Sequence, residues 1–422
     1  MVPRRSARLH PQIHATEQSA GVTRRRSSRP HPEVHASAGM TRRTGTSPAA
    51  PAASLPDDED MLREILVRLP PQPSSLPRAS AVCKRWRCII GDPKFHRQFY
   101  AHHRKPPLLG VFQRSHEGIV FTPMLDPPDR VPPARVSRGR CSNRDEYEVL
   151  NCRHGLVLVH HWARGEVLVC DPITSEQRRV ATPPELRRAI LGGAVLCAAT
   201  DPGHVHGGCH SSPFKVVVVS TDGSDSRDLA CVYSSETGVW GNLISTPAPS
   251  DLSDVSATLV GNALYWLTVG DQILEFDLDG QSLALITGLP ITTDLLCRNH
   301  HIIQGEDGAI GLAVLSRPRG EVQTWQRKVN CHGVATWIPW KTIAMHTILG
   351  LPSPIEGLFG RLLGYDEDNG VIFLYVQARV YTVQLMSMQS RKLHETRNLD
   401  DYYPFTSFFI PDMDISGTQY IV

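Results

Sequence analysis

A short amphipathic segment at positions 55–70, LPDDEDMLREILVRLP, constrains the fold of this 422-residue chain more than any other feature. Ser54 and Asp57 are candidate helix caps, and Pro70 and Pro71 end the helical run. The apolar side chains between them recur at helical spacing and form one stripe: Met61, Leu62, Ile65, Leu66 and Leu69. A helical module this small cannot bury a self-sufficient core. We therefore expect part of its apolar surface to bind a partner.

Five short motifs follow one another between positions 55 and 95: Leu55-Pro56-Asp57-Asp58, Arg68-Leu69-Pro70, Ser75-Leu76-Pro77-Arg78, Val82-Cys83-Lys84-Arg85-Trp86 and Asp92-Pro93-Lys94-Phe95. In order and spacing they resemble the F-box, the adaptor-binding module of SCF-type ubiquitin ligases. Two departures stand out, a slightly longer loop in PPQPSS and Asp60-Met61 in place of a commoner Leu-Leu. Residues 101–112 are similar to the linker in large grass families of F-box proteins.

The resemblance implies that the module docks on a Skp1-like adaptor and, through it, on a cullin. It implies ten adaptor-binding residues: Leu55, Pro56, Leu62, Ile65, Leu66, Leu69, Pro70, Leu76, Val82 and Trp86. Some of these must also fill the small core of the module, and Trp86 is the strongest candidate for that role.

Composition divides the chain into a basic arm (1–53), the helical module (54–105), a β-rich domain (106–412) and a C-terminal tail (413–422). The arm holds nine arginines against two glutamates and repeats itself, so we predict that it is disordered. It is either an unconstrained extension, a nuclear-localisation or nucleic-acid-binding arm, or an organelle transit peptide. Pro106-Pro107 predicts a stiff break that keeps the helical module and the β domain apart.

The β domain is predicted from short apolar runs that alternate with turn signals. Predicted strands include Leu156–Val159, Val167–Cys170, Lys215–Ser220, Leu229–Tyr233, Ala257–Val260, Leu264–Leu267, Ile273–Leu278, Leu283–Ile286, Ile310–Leu315, Val371–Val376 and Val380–Leu385. Similar turns recur at 170–174, 233–238 and 276–280, the last two at a spacing near that of a propeller repeat.

The overall class is thus mixed, with a small all-α module followed by an all-β domain. The β domain resembles the F-box-associated or kelch-like C-terminal domains of plant F-box proteins, which implies a β-propeller. Its length suits six or seven blades, and a β-sandwich pair or a broken propeller remains an alternative.

Few residues of the sequence suggest catalysis or metal binding. Nucleotide-binding and hydrolase motifs are absent from the sequence, so we predict a non-catalytic protein without a cofactor. His204, His206, Cys209 and His210 form a cluster of metal-ligand types, but no second ligand pair lies at finger spacing. We therefore predict a surface loop there and no metal.

Trp337 and Trp340 flank Pro339 and are hard to bury together, so we assign them to a possible target-binding surface. Ten cysteines without a CxxC pair, and no apolar run of about 18 residues, indicate a reduced protein of the nucleus or cytoplasm without a membrane partner.

We therefore predict a substrate-recognition subunit of an SCF-type ubiquitin ligase whose target protein is unknown. One alternative is a nucleic-acid-associated protein that binds through its basic arm, although the rest of the chain is mildly acidic. Another is an F-box protein that binds its adaptor without delivering a target for degradation.

Overall fold

A computed structural model describes residues 58–115, 118–136, 146–186, 190–210, 212–222, 227–246, 252, 256–268, 272–290, 299–316, 319–351 and 360–409. The basic arm, the C-terminal tail, Leu55 and Pro56 lie outside these residues. Within the described ranges, no helix is both long enough and apolar enough to cross a membrane.

Four helices form the N-terminal module: α1 (Glu59–Val67), α2 (Ser75–Ser80), α3 (Lys84–Ile90) and α4 (Pro93–His103). Helix α1 begins where the Asp58 carboxylate accepts a hydrogen bond of 3.0 Å from the Asp60 amide. Helix α4 begins in the same way, with Asp92 accepting from the Lys94 amide at 2.9 Å and Pro93 in the first turn. Two further short helices, α5 (Pro133–Val136) and α6 (Met345–Ile348), lie in connections of the β domain.

The β domain is a propeller of six antiparallel sheets. Blade 1 contains β1 (Leu108–Ser115), β2 (Gly118–Pro123) and β24 (Tyr402–Thr406). Blade 2 contains β3 (Tyr147–Arg153), β4 (Leu156–His161), β5 (Glu166–Cys170) and β6 (Gln177–Ala181). Blade 3 contains β7 (Ile190–Cys197), β8 (Phe214–Asp222), β9 (Arg227–Ser234), β10 (Val239–Trp240) and β11 (Ile244–Ser245).

The other three blades have four strands each. Blade 4 contains β12 (Thr258–Val260), β13 (Ala263–Leu267), β14 (Gln272–Asp277) and β15 (Ser282–Thr287). Blade 5 contains β16 (His300–Gln304), β17 (Ile310–Ser316), β18 (Glu321–Val329) and β19 (Ala335–Ala344). Blade 6 contains β20 (Gly360–Asp366), β21 (Val371–Val376), β22 (Arg379–Gln384) and β23 (Ser390–Glu395).

The two ends of the β domain close the ring. Strand β24 pairs antiparallel with β1, with Tyr403 opposite Phe112, so the inner strand of blade 1 comes from the C-terminal side. The inner strands of successive blades lie side by side around the axis. The ring therefore has six blades, the lower of the two expected numbers, and both the β-sandwich pair and the broken propeller are excluded.

The repeat seen in the sequence has a structural basis. All three recurrent turns join the third and fourth strands of a blade, in blades 2, 3 and 4. In two of them an aspartate closes the turn, because Asp171 accepts from the Ile173 amide at 2.9 Å and Asp277 from the Asp279 amide at 3.2 Å. The predicted strands also all lie on observed strands, so alternation and turn chemistry located them correctly.

The helical module packs directly against the propeller, so the prediction that Pro106-Pro107 keeps them apart is wrong. Phe408, which follows β24, is buried in the core cluster of the module, and its ring stacks on Tyr100 with 4.5 Å between centroids. The Ser74 amide also donates to the Asp129 carboxylate at 3.0 Å. A proline pair stiffens the chain locally but does not prevent contact between the segments that flank it.

Candidate functional site

The apolar stripe of α1 is split between the core of the module and its surface. Leu62 and Leu66 are fully buried, whereas Met61 is 54% exposed and Ile65 is 42% exposed. Residues four apart lie on the same helical face, so the stripe consists of an inner pair and an outer pair. The outer pair is apolar surface that the described chain leaves uncovered.

The inner pair belongs to one apolar cluster that holds the four helices together. Its buried members are Leu62, Leu66, Val67, Leu76, Ala79, Ile89, Ile90, Phe95, Phe99 and Phe408. Leu69, Trp86, Tyr100 and Val205 pack against it while partly exposed. Phe408 and Val205 come from the propeller side of the chain, so the module borrows part of its core from its neighbour.

A third exposed apolar residue of the module, after Met61 and Ile65, lies at the turn between α2 and α3. Val82 is 57% exposed, and Pro70, after the end of α1, is exposed as well. Isolated exposed apolar residues are common on proteins. Of the ten large hydrophobic side chains that are exposed in the described part of the chain, however, three fall within this small module.

The predicted adaptor-binding residues therefore fall into four groups. Leu55 and Pro56 lie outside the described residues, and Leu69 and Trp86 are partly buried against the core. Leu62, Leu66 and Leu76 are buried inside the module, and Ile65, Pro70 and Val82 are exposed. Trp86, the strongest candidate from the sequence for a core role, does pack against the core, but the three buried leucines lie deeper than it does.

Met61 is an exposed residue that the set of ten omits. Its position four residues before Ile65 is the sequence signal that places it on the same face. The direction of the core could not be read from that spacing, because both pairs in the stripe are equally apolar.

The propeller axis contains a polar cavity that is braced by an ion pair. Arg153 of β3 is buried and pairs with Glu367, which follows β20, through an Nη2 to Oε2 contact of 2.8 Å. Glu367 also accepts from the Leu259 amide of β12 at 2.9 Å. Blades 2, 4 and 6 are thus tied together across the axis.

Asp366 lines the same cavity. Burial, followed by the nearby Asp368 charge, raises the pKa of Asp366 to about 7.

Trp337 and Trp340 lie on β19, the outermost strand of blade 5. Trp337 packs against the cluster between blades 4 and 5, and Trp340 against the cluster between blades 5 and 6. Three residues apart on a strand, they point to opposite faces, so each is partly buried on a different side. The Lys341 ammonium lies 4.5 Å from the Trp340 ring centroid, a cation–π distance. A role in target binding stays a prediction.

A four-helix module with an exposed apolar face, fused to a six-bladed propeller, defines an F-box protein of the propeller class. The F-box domain model matches residues 53–98. The family model described as "F-box protein AT5G49610-like, beta-propeller" matches residues 148–412. The chain belongs to this F-box protein AT5G49610-like β-propeller family.

The chain has low sequence identity to individual proteins. F-box protein At5g07610 of Arabidopsis thaliana is 24% identical over 268 residues, which cover 58% of this chain and 60% of that protein. The chain thus matches less than two thirds of that relative. Among solved structures, the extracellular domain of the one component system BT4673 from B. thetaiotaomicron has a TM-score of 0.33 at 15% identity, covering 60% of this chain and 29% of that one. BBS1N in complex with ARL6DN has a TM-score of 0.33 at 12% identity, covering 69% and 79%.

Proposed function

We propose that this protein is the non-catalytic substrate-recognition subunit of an SCF-type E3 ubiquitin ligase. The helical module would dock on a Skp1-like adaptor, and the propeller would hold a target protein. One observation carries the proposal: the module leaves Met61 and Ile65 exposed on the outer face of α1, although their neighbours Leu62 and Leu66 are fully buried. An amphipathic helix with an uncovered apolar face is suited to an apolar groove on a partner.

Docking would gain free energy from burial of that face, at about 25 cal/mol per Å² of apolar surface removed from water. Met61, Ile65, Pro70 and Val82 would contact the adaptor directly. Leu62, Leu66 and Leu76 would contribute by holding α1 and α2 in place, because they are buried inside the module.

The propeller would act by positioning the bound target protein. A target held on it shares one body with the docked adaptor, which raises the effective concentration of a target lysine near the ubiquitin-charged enzyme. The packing of Phe408 into the core of the module supports this mechanism, since a fixed orientation limits where the target can lie. Trp337 and Trp340 are the proposed contacts with the target.

The docking proposal is tested by co-purification of a Skp1-like adaptor with the full chain, comparing wild type with Met61→Asp and Ile65→Asp. Each variant places a carboxylate in the proposed apolar contact, where an unpaired charge is costly. We expect at least about tenfold weaker binding, equivalent to roughly 1.4 kcal/mol.

The matched control is Val239→Asp, which introduces the same charge at a residue of the propeller that is 60% exposed. It should bind the adaptor as wild type does. Equal adaptor recovery with wild type and both α1 variants would contradict the proposal. Leu66→Asp is unsuitable, because it would place a charge inside the core and unfold the module.

A further inference from the structure

Four metal-ligand side chains converge beside the junction of the helical module and the propeller. The ligand atoms of Cys197, His204, His206 and Cys209 all lie within 4.8 Å of one another. Cys197 is the last residue of β7, and the other three lie on the connection from β7 to β8. The sequence predicts no metal here because no second ligand pair lies at finger spacing, whereas the fold adds Cys197 from the end of β7.

The distances within the cluster suit a tetrahedral ion. His204 Nε2 lies 3.3 Å from the sulfurs of both Cys197 and Cys209, and His206 Nδ1 lies 3.7 Å from the sulfur of Cys209. Around a tetrahedral zinc ion, with bonds of about 2.3 Å to sulfur and about 2.0–2.1 Å to nitrogen, neighbouring ligand atoms are roughly 3.3–3.8 Å apart. The cluster therefore needs only small adjustments to accept the ion.

The donor set selects the metal. Two thiolates and two imidazoles form a soft to borderline set that favours Zn²⁺ over Mg²⁺ or Ca²⁺, which prefer oxygen ligands. Four protein ligands also fill the coordination sphere, as in structural zinc sites. His210, part of the cluster considered from the sequence, is engaged elsewhere, because its Nδ1 lies 2.9 Å from the Asp171 carboxylate.

Neighbouring groups orient the ligands. The Ala199 amide donates to the Cys197 sulfur at 3.5 Å, and the buried His154 ring accepts from the Cys197 amide at 3.1 Å. The same His154 ring stacks on His206, with 3.7 Å between centroids and 12° between planes. Such outer contacts fix the direction of metal ligands.

The residues between the ligands are wedged under the helical module. Val205 packs against the core of the module, and the Gly207 carbonyl accepts from the Phe408 amide at 2.9 Å. A Cβ atom on Gly207 would lie 2.6 Å from Pro106, and one on Gly208 would lie 2.6 Å from the Tyr100 ring. These two glycines allow the loop to approach α4 and the linker closely.

We propose that Cys197, His204, His206 and Cys209 bind one structural Zn²⁺ ion, and that the loop closed by this ion fastens the helical module to the propeller. The site is independent of adaptor binding, and its test does not require a partner. Metal binding would order the loop, since coordination free energy is available for folding.

The test uses the full chain. Elemental analysis should find about one zinc ion per chain, and metal-free protein titrated with Co²⁺ should develop the intense visible bands of tetrahedral cobalt with thiolate ligands. Because the cobalt spectrum is recorded on wild type, it does not depend on the folding of any variant. Weak octahedral-type absorption, the absence of zinc, or a Cys197–Cys209 disulfide would each overturn the proposal.

Two pairs of variants make the assignment specific. Cys197→Ser and Cys209→Ser should weaken Co²⁺ binding by at least about tenfold. Cys331→Ser, at an exposed cysteine outside the cluster, and His210→Asn, within the same loop, should retain wild-type binding. Zinc removal from wild type should also speed hydrogen exchange in α4, and unchanged exchange there would refute the fastening role.

Discussion

At the scale of single residues, the surroundings of each side chain decide its role more than its type does. Met61 and Ile65 are as apolar as Leu62 and Leu66, yet the first two are exposed and the last two are buried. A helical stripe predicts that apolar residues share a broad face, but its centre depends on the helices that pack against it. The sequence therefore predicts that the stripe exists, but it does not predict which of its residues face the core and which face outward.

His160 offers a test of burial at a single residue. Among the described residues, neither of its ring nitrogens has a hydrogen-bond partner, and burial, followed by the neighbouring His161, lowers its pKa to about 4. The unfolded chain takes up this proton near pH 6.5, so acidification below that value favours unfolding until about pH 4.

We expect His160→Phe to be less sensitive to acid than wild type. The difference in unfolding free energy between the two proteins should grow to the order of 2–3 kcal/mol as the pH falls from 6.5 to 4. Denaturant unfolding at several pH values measures it. Parallel curves for the two proteins across this window would show that His160 does not titrate as described.

At the scale of elements, local sequence patterns located the strands but not their long-range partners. Alternating runs such as β14 and β22, with turn residues at both ends, were recognisable because their signals are local. Cys197 joins the cysteine and histidine cluster because the loop after β7 brings His204 back to the end of the strand, and no sequence spacing indicated this. Phe408 enters the core of the module from the far end of the propeller, which no local pattern predicts.

Phe408→Ala tests whether the helical module depends on the propeller. Removing a buried aromatic side chain costs about 3–5 kcal/mol, and here the loss would fall on the core of the module. We expect faster hydrogen exchange throughout α1–α4, with exchange in blades 4 and 5 unchanged.

Met386→Ala is the matched control, because it shortens an exposed apolar side chain of the propeller and should leave the module unaffected. If Phe408→Ala leaves exchange in the four helices at wild-type rates, the module is held by its own residues alone.

At the scale of the whole molecule, the helical module and the propeller pack against each other. The pairing of β24 with β1 closes the ring, and Phe408, two residues after the end of β24, is buried in the core of the helical module. One short stretch of chain therefore both closes the ring and packs the helical module against the propeller. Through this stretch and Val205, the propeller side of the chain covers part of the apolar surface of the module.

The central claim is that the uncovered face of the module is the adaptor-binding surface. Hydrogen exchange of the full chain, with and without a Skp1-like adaptor, tests it most directly because it maps the contact along the sequence. We predict protection of the α1–α3 region, residues 59–90, including the peptides that contain Ile65 and Val82, with the six blades unprotected. Protection confined to the propeller, with exchange in α1–α3 unchanged, would contradict the account.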